Sequence, residues 1–248
     1  HYDQYANLMP HINCEKQMIT SHYPYLENPE PQYVFLFDLL NKSGSHIVCL
    51  SDRIKNEFLN RNVSSTNVSI LPCGIDVNSY QIDETDVLYP DRSIIVGKIE
   101  TRKRQSFLQH KGLGIDFIGN NSDINFDVSD PCYFGEQTKQ DIMDNLTSYA
   151  NMILLSSGEA HPFVCLEGMA AGLGLVLSEQ STANLDLNQP FITVIPDNKL
   201  NDTDYLKKEI EKNREISLKM RKDIRQYCYE NFDWSAIIKL YKEIIEKL

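Results

Sequence analysis

The sequence predicts an α/β protein whose C-terminal part is a doubly wound, parallel sheet. From Ser93 onward, short apolar runs of strand length alternate with segments of helical spacing. Such alternation is typical of βαβ units, in which each crossover helix covers one face of the sheet. The 248 residues are enough for one large domain, or one and a half ordinary ones, with ample core.

Composition argues against several classes of protein. A net charge of −11 disfavours a nucleic-acid groove, so we expect no nucleic-acid partner. No apolar run reaches the ~20 residues of a membrane span. The six cysteines show no C-x-x-C spacing, and three fall within apolar strand or helix patterns. We therefore expect reduced, buried thiols in a cytoplasmic protein.

The N-terminal third gives a weaker pattern of strands and helices. Apolar runs predict strands at 17–20, 46–50 and 68–71. A helix is expected over 32–40, and Ser51 is the predicted N-cap of another over 52–60. Pro72-Cys-Gly-Ile-Asp76 then predicts a turn, and the polar stretch 77–91 a linker.

The remaining residues alternate regularly. The predicted strands are 93–97, 114–119, 132–135, 152–155, 173–177 and 191–195. The predicted helices are 101–110, 139–149, 163–171, a charged segment at 202–230 that is broken once, and an amphipathic segment at 234–248.

The most informative stretch is 156–172, which joins the strand 152–155 to the helix 163–171. Pro162 lies where the helix starts, a position at which its missing N–H costs nothing. Gly172 marks the end of the helix. The turn therefore directs backbone N–H groups and the positive end of the helix dipole at one point, which favours an anion such as a diphosphate.

Two carboxylates flank this point, Glu159 in the turn and Glu167 inside the helix. Glu167 has largely apolar neighbours, so it needs hydrogen-bond donors. The two hydroxyls of a ribose would supply them. The alternative is that Glu167 pairs with a nearby Lys or Arg and only stabilises the fold.

Glu159 and Glu167, with seven residues between them and Gly-Met-Ala-Ala-Gly following, resemble the E-x7-E signature of retaining glycosyltransferases of the GT-B fold, family 4. The resemblance implies that Glu167 binds the nucleotide ribose and that Glu159 contacts the donor sugar. The family commonly has Gly where this chain has Pro162. Because Pro lacks an N–H, the amides of Phe163 and Val164 are the expected phosphate contacts.

Basic residues after the strand 93–97 resemble another part of the family pattern, a Gly-Arg followed five residues later by Lys. Lys98 and Lys103 match that spacing, which implies that both contact the diphosphate. Lys at 98 replaces the bidentate Arg by a point charge. The run Arg102-Lys103-Arg104 leaves the register open by one residue, and a solvated charge cluster is the alternative.

Two weaker matches complete the expected site. Thr182 lies in the loop where the family has further phosphate contacts. Thr20-Ser21-His22 is similar to a Thr-x-His-type motif whose His faces the donor sugar, and His22 is otherwise an ordinary loop histidine.

The resemblance implies a GT-B architecture with a complete Rossmann-like C-terminal domain and the end portion of an N-terminal one. The expected segments are 1–76 for the N-terminal tail, 77–92 for the linker, 93–231 for the nucleotide-sugar-binding domain, and 232–248 for a last helix that crosses back. Phe232-Asp-Trp-Ser235 resembles the family's Phe-x-Trp before that helix. The alternative is a helix that closes the local core. The chain is expected to be incomplete at its N-terminus.

The implied activity is transfer of a sugar from a nucleoside-diphosphate donor to an acceptor hydroxyl, with retention and with no cofactor or metal. The expected partner is a nucleotide sugar, while a carbohydrate, lipid or protein acceptor, the base and the sugar stay open. The N-terminal part that is expected to be missing could also make a peripheral membrane contact. The alternatives are a non-catalytic nucleotide-sugar-binding module or inactive remnant, and a GT-B epimerase or phosphorylase.

Overall fold

The computed structural model describes residues 8–9, 11–22, 31–85 and 87–248, and the backbone alone for 31–36. The chain divides into two compact units. The first unit holds the described residues up to Gly74 together with Gly158–His161 and Trp234–Leu248, and the second holds Ile75–Ser157 and Pro162–Asp233. Every helix in the described part of the chain is too short or too polar to span a bilayer.

The first unit contains a three-stranded parallel sheet in the order β1-β2-β3. The strands are β1 (Met18–Ser21), β2 (His46–Cys49) and β3 (Val68–Ile70), and the helices between them are α1 (Pro31–Lys42) and α2 (Asp52–Asn60). Ser51 caps α2 as predicted, with its hydroxyl accepting from the Ile54 N–H. The core between sheet and helices includes Phe37, Leu40, Ile47 and Phe58.

The terminal helix, which we number α8 (Trp234–Lys247), also belongs to the first unit. The Trp234 ring lies against Gly74, where a Cβ would come within 2.6 Å of it. Ile237 and Ile244 are buried. Other apolar side chains of the helix are 39–46% exposed, namely Ile238, Leu240, Tyr241 and Ile245.

The second unit contains a five-stranded, all-parallel sheet in the order β5-β4-β6-β7-β8. Its strands are β4 (Tyr89–Val96), β5 (Ile115–Ile118), β6 (Tyr149–Leu154), β7 (Gly174–Ser178) and β8 (Ile192–Ile195). Its helices are α3 (Gln105–Leu108), α4 (Lys139–Asn145), α5 (Phe163–Ala170), α6 (Thr203–Lys219) and α7 (Arg221–Phe232). The predicted doubly wound sheet is confirmed, and the central strand β6 is buried along its whole length.

Three predicted elements differ from the structure. The segment 132–135 is not a strand: it joins β5 through a single bridge, Phe117 with Tyr133, and is otherwise irregular. The predicted helix 139–149 ends at Asn145, because β6 already begins at Tyr149. The predicted linker 77–91 overlaps β4, which begins at Tyr89.

The predicted helix 101–110 is interrupted in its middle. A 3-10 turn covers Thr101–Lys103 and α3 starts only at Gln105. Arg104, between them, has a φ of 58°, in the left-handed region that breaks a right-handed helix.

Buried polar side chains of α6 meet the amino ends of the strands. Asn213 donates to the carbonyl oxygens of Leu175 and Phe191 at 3.1 and 3.0 Å. Its Oδ1 accepts from the Asn151 side chain at 2.8 Å. Arg214 donates to the carbonyl of Leu113 at 2.6 Å. Because buried polar groups are costly without partners, these bonds help to fix α6 on the sheet alongside its apolar contacts.

We expect Asn213→Ala to lower the free energy of unfolding by about 2–4 kcal/mol, since it leaves several buried polar groups without partners. Urea denaturation measures the change. Lys212→Ala, at an exposed position of the same helix, is the control and should stay within about 0.5 kcal/mol of the parent. Equal, small effects of both substitutions would contradict a stabilising role for the α6 hydrogen bonds.

Candidate functional site

The carboxyl ends of β4 and β6 flank the topological switch point of the five-stranded sheet. β5 lies on one side of β4, and the chain then crosses to β6 on the other side. Ligands of such sheets bind at the crevice outside these strand ends. Gly97 and Lys98 follow β4, and Ser156 and Ser157 follow β6. The predicted site residues of the second unit lie on loops and a helix that start from this edge.

Two arginines connect the loop after β4 to the end of β6. Arg102 donates to the Ser156 hydroxyl at 2.9 Å, and its carbonyl accepts from the Ser157 N–H at 2.9 Å. Arg104 donates to the carbonyl of Leu155 at 2.8 Å. Both guanidinium groups therefore bind the protein itself and hold the two loops together.

The lysines of the same loop have no such partner. Lys98 is exposed, and the Nζ of Lys103 lies over Gly97, 2.8 Å from the place where a Cβ would stand. Neither ammonium group forms a hydrogen bond or ion pair with a residue that the structure describes. Among the consecutive basic residues Arg102, Lys103 and Arg104, Lys103 is thus the one whose charged group has no partner in the described chain. This favours Lys103 as the residue that matches the Lys of the family pattern.

The N-terminus of α5 has no side-chain cap. Pro162 occupies the N-cap position and offers no polar side chain. The Cys165 N–H bonds to the Pro162 carbonyl, whereas the N–H groups of Phe163 and Val164 bond to no described residue. N–H groups without an acceptor, together with the helix dipole, are the features that favour anions at helix N-termini.

Glu167 is half-buried, about one turn into α5, and a tyrosine is its partner. The Tyr80 hydroxyl donates to Oε1 of Glu167 at 2.9 Å. The alternative drawn from the sequence is an ion pair between Glu167 and a nearby Lys or Arg. Glu167 forms no ion pair within the described chain, and the Tyr80 hydroxyl is its partner instead. Burial raises the pKa of Glu167, while the Tyr80 hydrogen bond and the charge of Lys139 oppose that increase.

Thr182 lies after β7, in the turn that follows the 3-10 segment Glu179–Ser181. Its hydroxyl donates to the Glu179 carbonyl at 3.0 Å. The hydroxyl is thus engaged within its own turn. The neighbouring Ser178 hydroxyl donates to the Ser156 carbonyl at 2.5 Å, so this turn too is attached to the end of β6.

The remaining predicted residues, Glu159 and His22, belong to the first unit. His22 is exposed and directly follows β1. Glu159 is half-buried in the four-residue segment Gly158–His161. Ala160, next to it, is buried in the core of the first unit. His161 is buried as well, and its Nδ1 accepts from the Cys73 N–H at 2.9 Å.

Comparison with known proteins finds similarity in structure alone. No family model matches the sequence, and no curated protein matches it. TarM of S. aureus is 12% identical with a TM-score of 0.70, over 97% of this chain and 53% of TarM. Anabaena HepE, solved with UDP and glucose, is 14% identical with a TM-score of 0.70, over 94% of this chain and 72% of HepE. The glycosyltransferase WaaG is 13% identical with a TM-score of 0.68, over 94% of this chain and 78% of WaaG.

The chain has the GT-B fold. The chain spans about half the length of TarM, as the 53% coverage states. The GT-B fold expected from the E-x7-E resemblance is therefore confirmed, while the roles of individual site residues stay predictions. Among the described residues, no three His, Cys, Asp or Glu side chains are grouped as metal ligands.

Sequence reasoning missed several residues of the GT-B site region. Tyr80 lies in the predicted linker, and its partner Glu167 is 87 positions away. Arg102 and Arg104 were indistinguishable from Lys103 by spacing. His161 lies within the E-x7-E segment, yet nothing in the sequence pairs it with Cys73. In each case the decisive contact is tertiary, and no local pattern carries it.

We expect His161 to make the protein less stable in mild acid. Burial lowers the pKa of His161 from 6.5 to about 4, so the unfolded chain takes up a proton in this range and the folded chain does not. The stabilisation is complete above pH 6.5 and is lost progressively as the pH falls towards 4. Between pH 7 and pH 5 the free energy of unfolding should fall by about 2 kcal/mol through this residue.

Urea denaturation at the two pH values measures the loss. His161→Phe should remove about that much of the difference, whereas His11→Asn, at an exposed position, should leave the difference as it is. An unchanged difference in His161→Phe would contradict the assignment of this acid sensitivity to His161.

Proposed function

We propose that the chain is the donor-binding part of a retaining, hexosyl-type glycosyltransferase. The observation that carries the proposal is a set of uncommitted donors at one sheet edge: the α5 N-terminus and two lysine ammonium groups. We assign the diphosphate to Lys98, Lys103, Phe163 and Val164. We also assign it to Thr182, whose hydroxyl would have to exchange its hydrogen bond to the Glu179 carbonyl for one to the phosphate. We assign the ribose to Glu167, and the transferring sugar to Glu159 and His22.

The ligands of the structural neighbours support the choice of donor. HepE was solved with UDP and with UDP-glucose. A TarM variant was solved with UDP and carbohydrate ligands. These ligands were bound to those proteins, whose sequences are at most 15% identical to this chain. The nucleotide sugar, the acceptor and the activity of a complete enzyme are therefore proposals here.

The arrangement would act mainly by stabilising the leaving group. As the bond between the anomeric carbon and the diphosphate breaks, its electron pair moves to the diphosphate oxygen. The acceptor oxygen forms the new bond to that carbon on the face that the diphosphate leaves, and its proton passes to the departing diphosphate oxygen. Amides, helix dipole and lysines placed before the reaction can stabilise the developing charge without reorganising. We propose that this is sufficient without a metal ion, in a cytoplasmic enzyme that retains the anomeric configuration.

A non-catalytic nucleotide-sugar-binding module is the second candidate. Pro162 favours it, because this residue removes one N–H from the anion site. Incubation with UDP-glucose and other donors separates the two candidates. Slow hydrolysis of the donor would support an enzyme, and tight binding with no hydrolysis would support the module.

We expect Lys103→Ala to weaken binding of UDP, GDP or ADP, whichever binds best, by about tenfold. The reason is the loss of one charged contact to the diphosphate. Titration calorimetry measures the dissociation constant. Lys208→Ala removes the same charge from the exposed face of α6 and should change affinity less than twofold. Equal losses in both variants would point to net charge rather than to a diphosphate contact.

The two glutamates should respond differently. Glu167→Ala should weaken any nucleoside diphosphate, with or without its sugar, by roughly ten- to a hundredfold, because hydrogen bonds to a charged group are lost. Glu159→Ala should leave the free diphosphate nearly unaffected and should weaken the intact sugar donor. Calorimetry with UDP and UDP-glucose tests both variants. Equal, small effects would mean that the E-x7-E spacing is a coincidence.

A further inference from the structure

Tyr80 is buried beside α5 and is held from two sides. Its side chain is 3% exposed, and its carbonyl accepts from Arg225 at 2.8 Å. The same Arg225 nitrogen donates to the Ala170 carbonyl at the end of α5, at 2.6 Å. Tyr80 and α5 are thereby attached to one guanidinium group. The position of the Tyr80 hydroxyl relative to Glu167 is consequently fixed by the fold.

The Tyr80 hydroxyl uses one of the two oxygens of Glu167. It donates to Oε1, and Oε2 accepts from no residue in the described part of the chain. A carboxylate that is held at one oxygen has its plane and its second oxygen fixed in direction. The unused oxygen is then an oriented acceptor for a ligand hydroxyl. This side chain is already ordered in the free protein, so ligand binding does not lose the entropy of ordering it.

We propose that Tyr80 is a positioning residue that directs the second oxygen of Glu167 at the ribose hydroxyls and so sets a preference for ribonucleotides over 2′-deoxyribonucleotides. The inference rests on the proposed function, because it takes Glu167 as the ribose contact. A tyrosine that served only to satisfy a buried carboxylate would stabilise the fold equally well. It would, however, have no effect on the discrimination between ribose and deoxyribose.

The experiment compares dissociation constants for UDP, GDP and ADP with those for their 2′-deoxy counterparts. In Tyr80→Phe we expect about two- to tenfold weaker binding of the ribonucleotide, the range for one hydrogen bond. Binding of the deoxynucleotide should weaken less. The ratio of the deoxynucleotide dissociation constant to the ribonucleotide dissociation constant should therefore fall. Tyr227→Phe is the matched control: it removes the hydroxyl of a half-buried tyrosine that accepts from the Asp186 N–H rather than donating to Glu167.

A pH profile gives a second readout. The groups that act on Glu167 are Tyr80 and Lys139, and Asp76 and Cys228 act in turn on Tyr80. Loss of the Tyr80 donor removes an interaction that favours the carboxylate, so the pKa of Glu167 should rise. Ribonucleotide affinity should then start to fall at a higher pH on acidification in Tyr80→Phe than in the parent or in Tyr227→Phe.

A double variant tests whether Tyr80 acts through Glu167. In a Glu167→Gln background, Tyr80→Phe should cause less than a twofold further loss of ribonucleotide affinity. Equal weakening of ribo- and deoxyribonucleotides, or a full loss in both backgrounds, would overturn the inference and leave the proposed function standing. Failure of the parent protein to bind any of the nucleotides would overturn the proposed function itself. If Tyr80→Phe does not fold, parent and Glu167→Gln still decide: an unchanged ribose preference in Glu167→Gln overturns the inference.

Discussion

The attachment of the loop after β4 to the end of β6 is the constraint on which the candidate site depends. Neighbouring parallel strands fix only where their loops begin, and each loop must then be held by its own contacts. Arg102 and Arg104 supply these contacts through Ser156 and Leu155. Since both guanidinium groups serve this purpose, the charge left for a ligand is that of the lysines. Within three consecutive residues, Arg102 and Arg104 are thus bonded to the protein, while Lys103 is the cation to which we assign a binding role.

Hydrogen-bond donors at the two ends of the five-stranded sheet differ in whether they have acceptors within the protein. At the amino end, the buried Asn213 and Arg214 find acceptors on the strands. At the carboxyl end, the N–H groups of Phe163 and Val164 bond to no described residue. Phe163 is partly exposed, so these N–H groups are open to solvent or to a ligand, and they are the donors on which the proposed function rests. The contacts that hold α6 on the sheet are thus at the amino end, away from the loops of the candidate site.

The elements that could be predicted from sequence are those whose signal is local. Buried parallel strands such as β6 appear as short apolar runs, and Ser51 is a local cap signal for α2. The predictions that were wrong depended on distant contacts. Arg104 has a non-helical backbone conformation, and its side chain bonds to the distant Leu155. The apolar run 132–135 joins the sheet by one bridge only. Of the site, spacing and resemblance located Glu167, while its partner Tyr80 required the folded chain.

The proposed anion site lies in a protein of net charge −11, so it has to be explained by local rather than overall charge. At physiological ionic strength the Debye length is about 8 Å, so most of the surface carboxylates are screened from any one point. Charges closer than that distance are screened less, and at the α5 N-terminus these would be the helix dipole and the lysine ammonium groups. Glu167 is a negative charge on the same helix, which would oppose a diphosphate. Its hydrogen bond to Tyr80 spreads that charge and turns one oxygen away as an acceptor already in use. In the proposed function, the tyrosine would thus make a half-buried carboxylate compatible with a diphosphate at the N-terminus of α5.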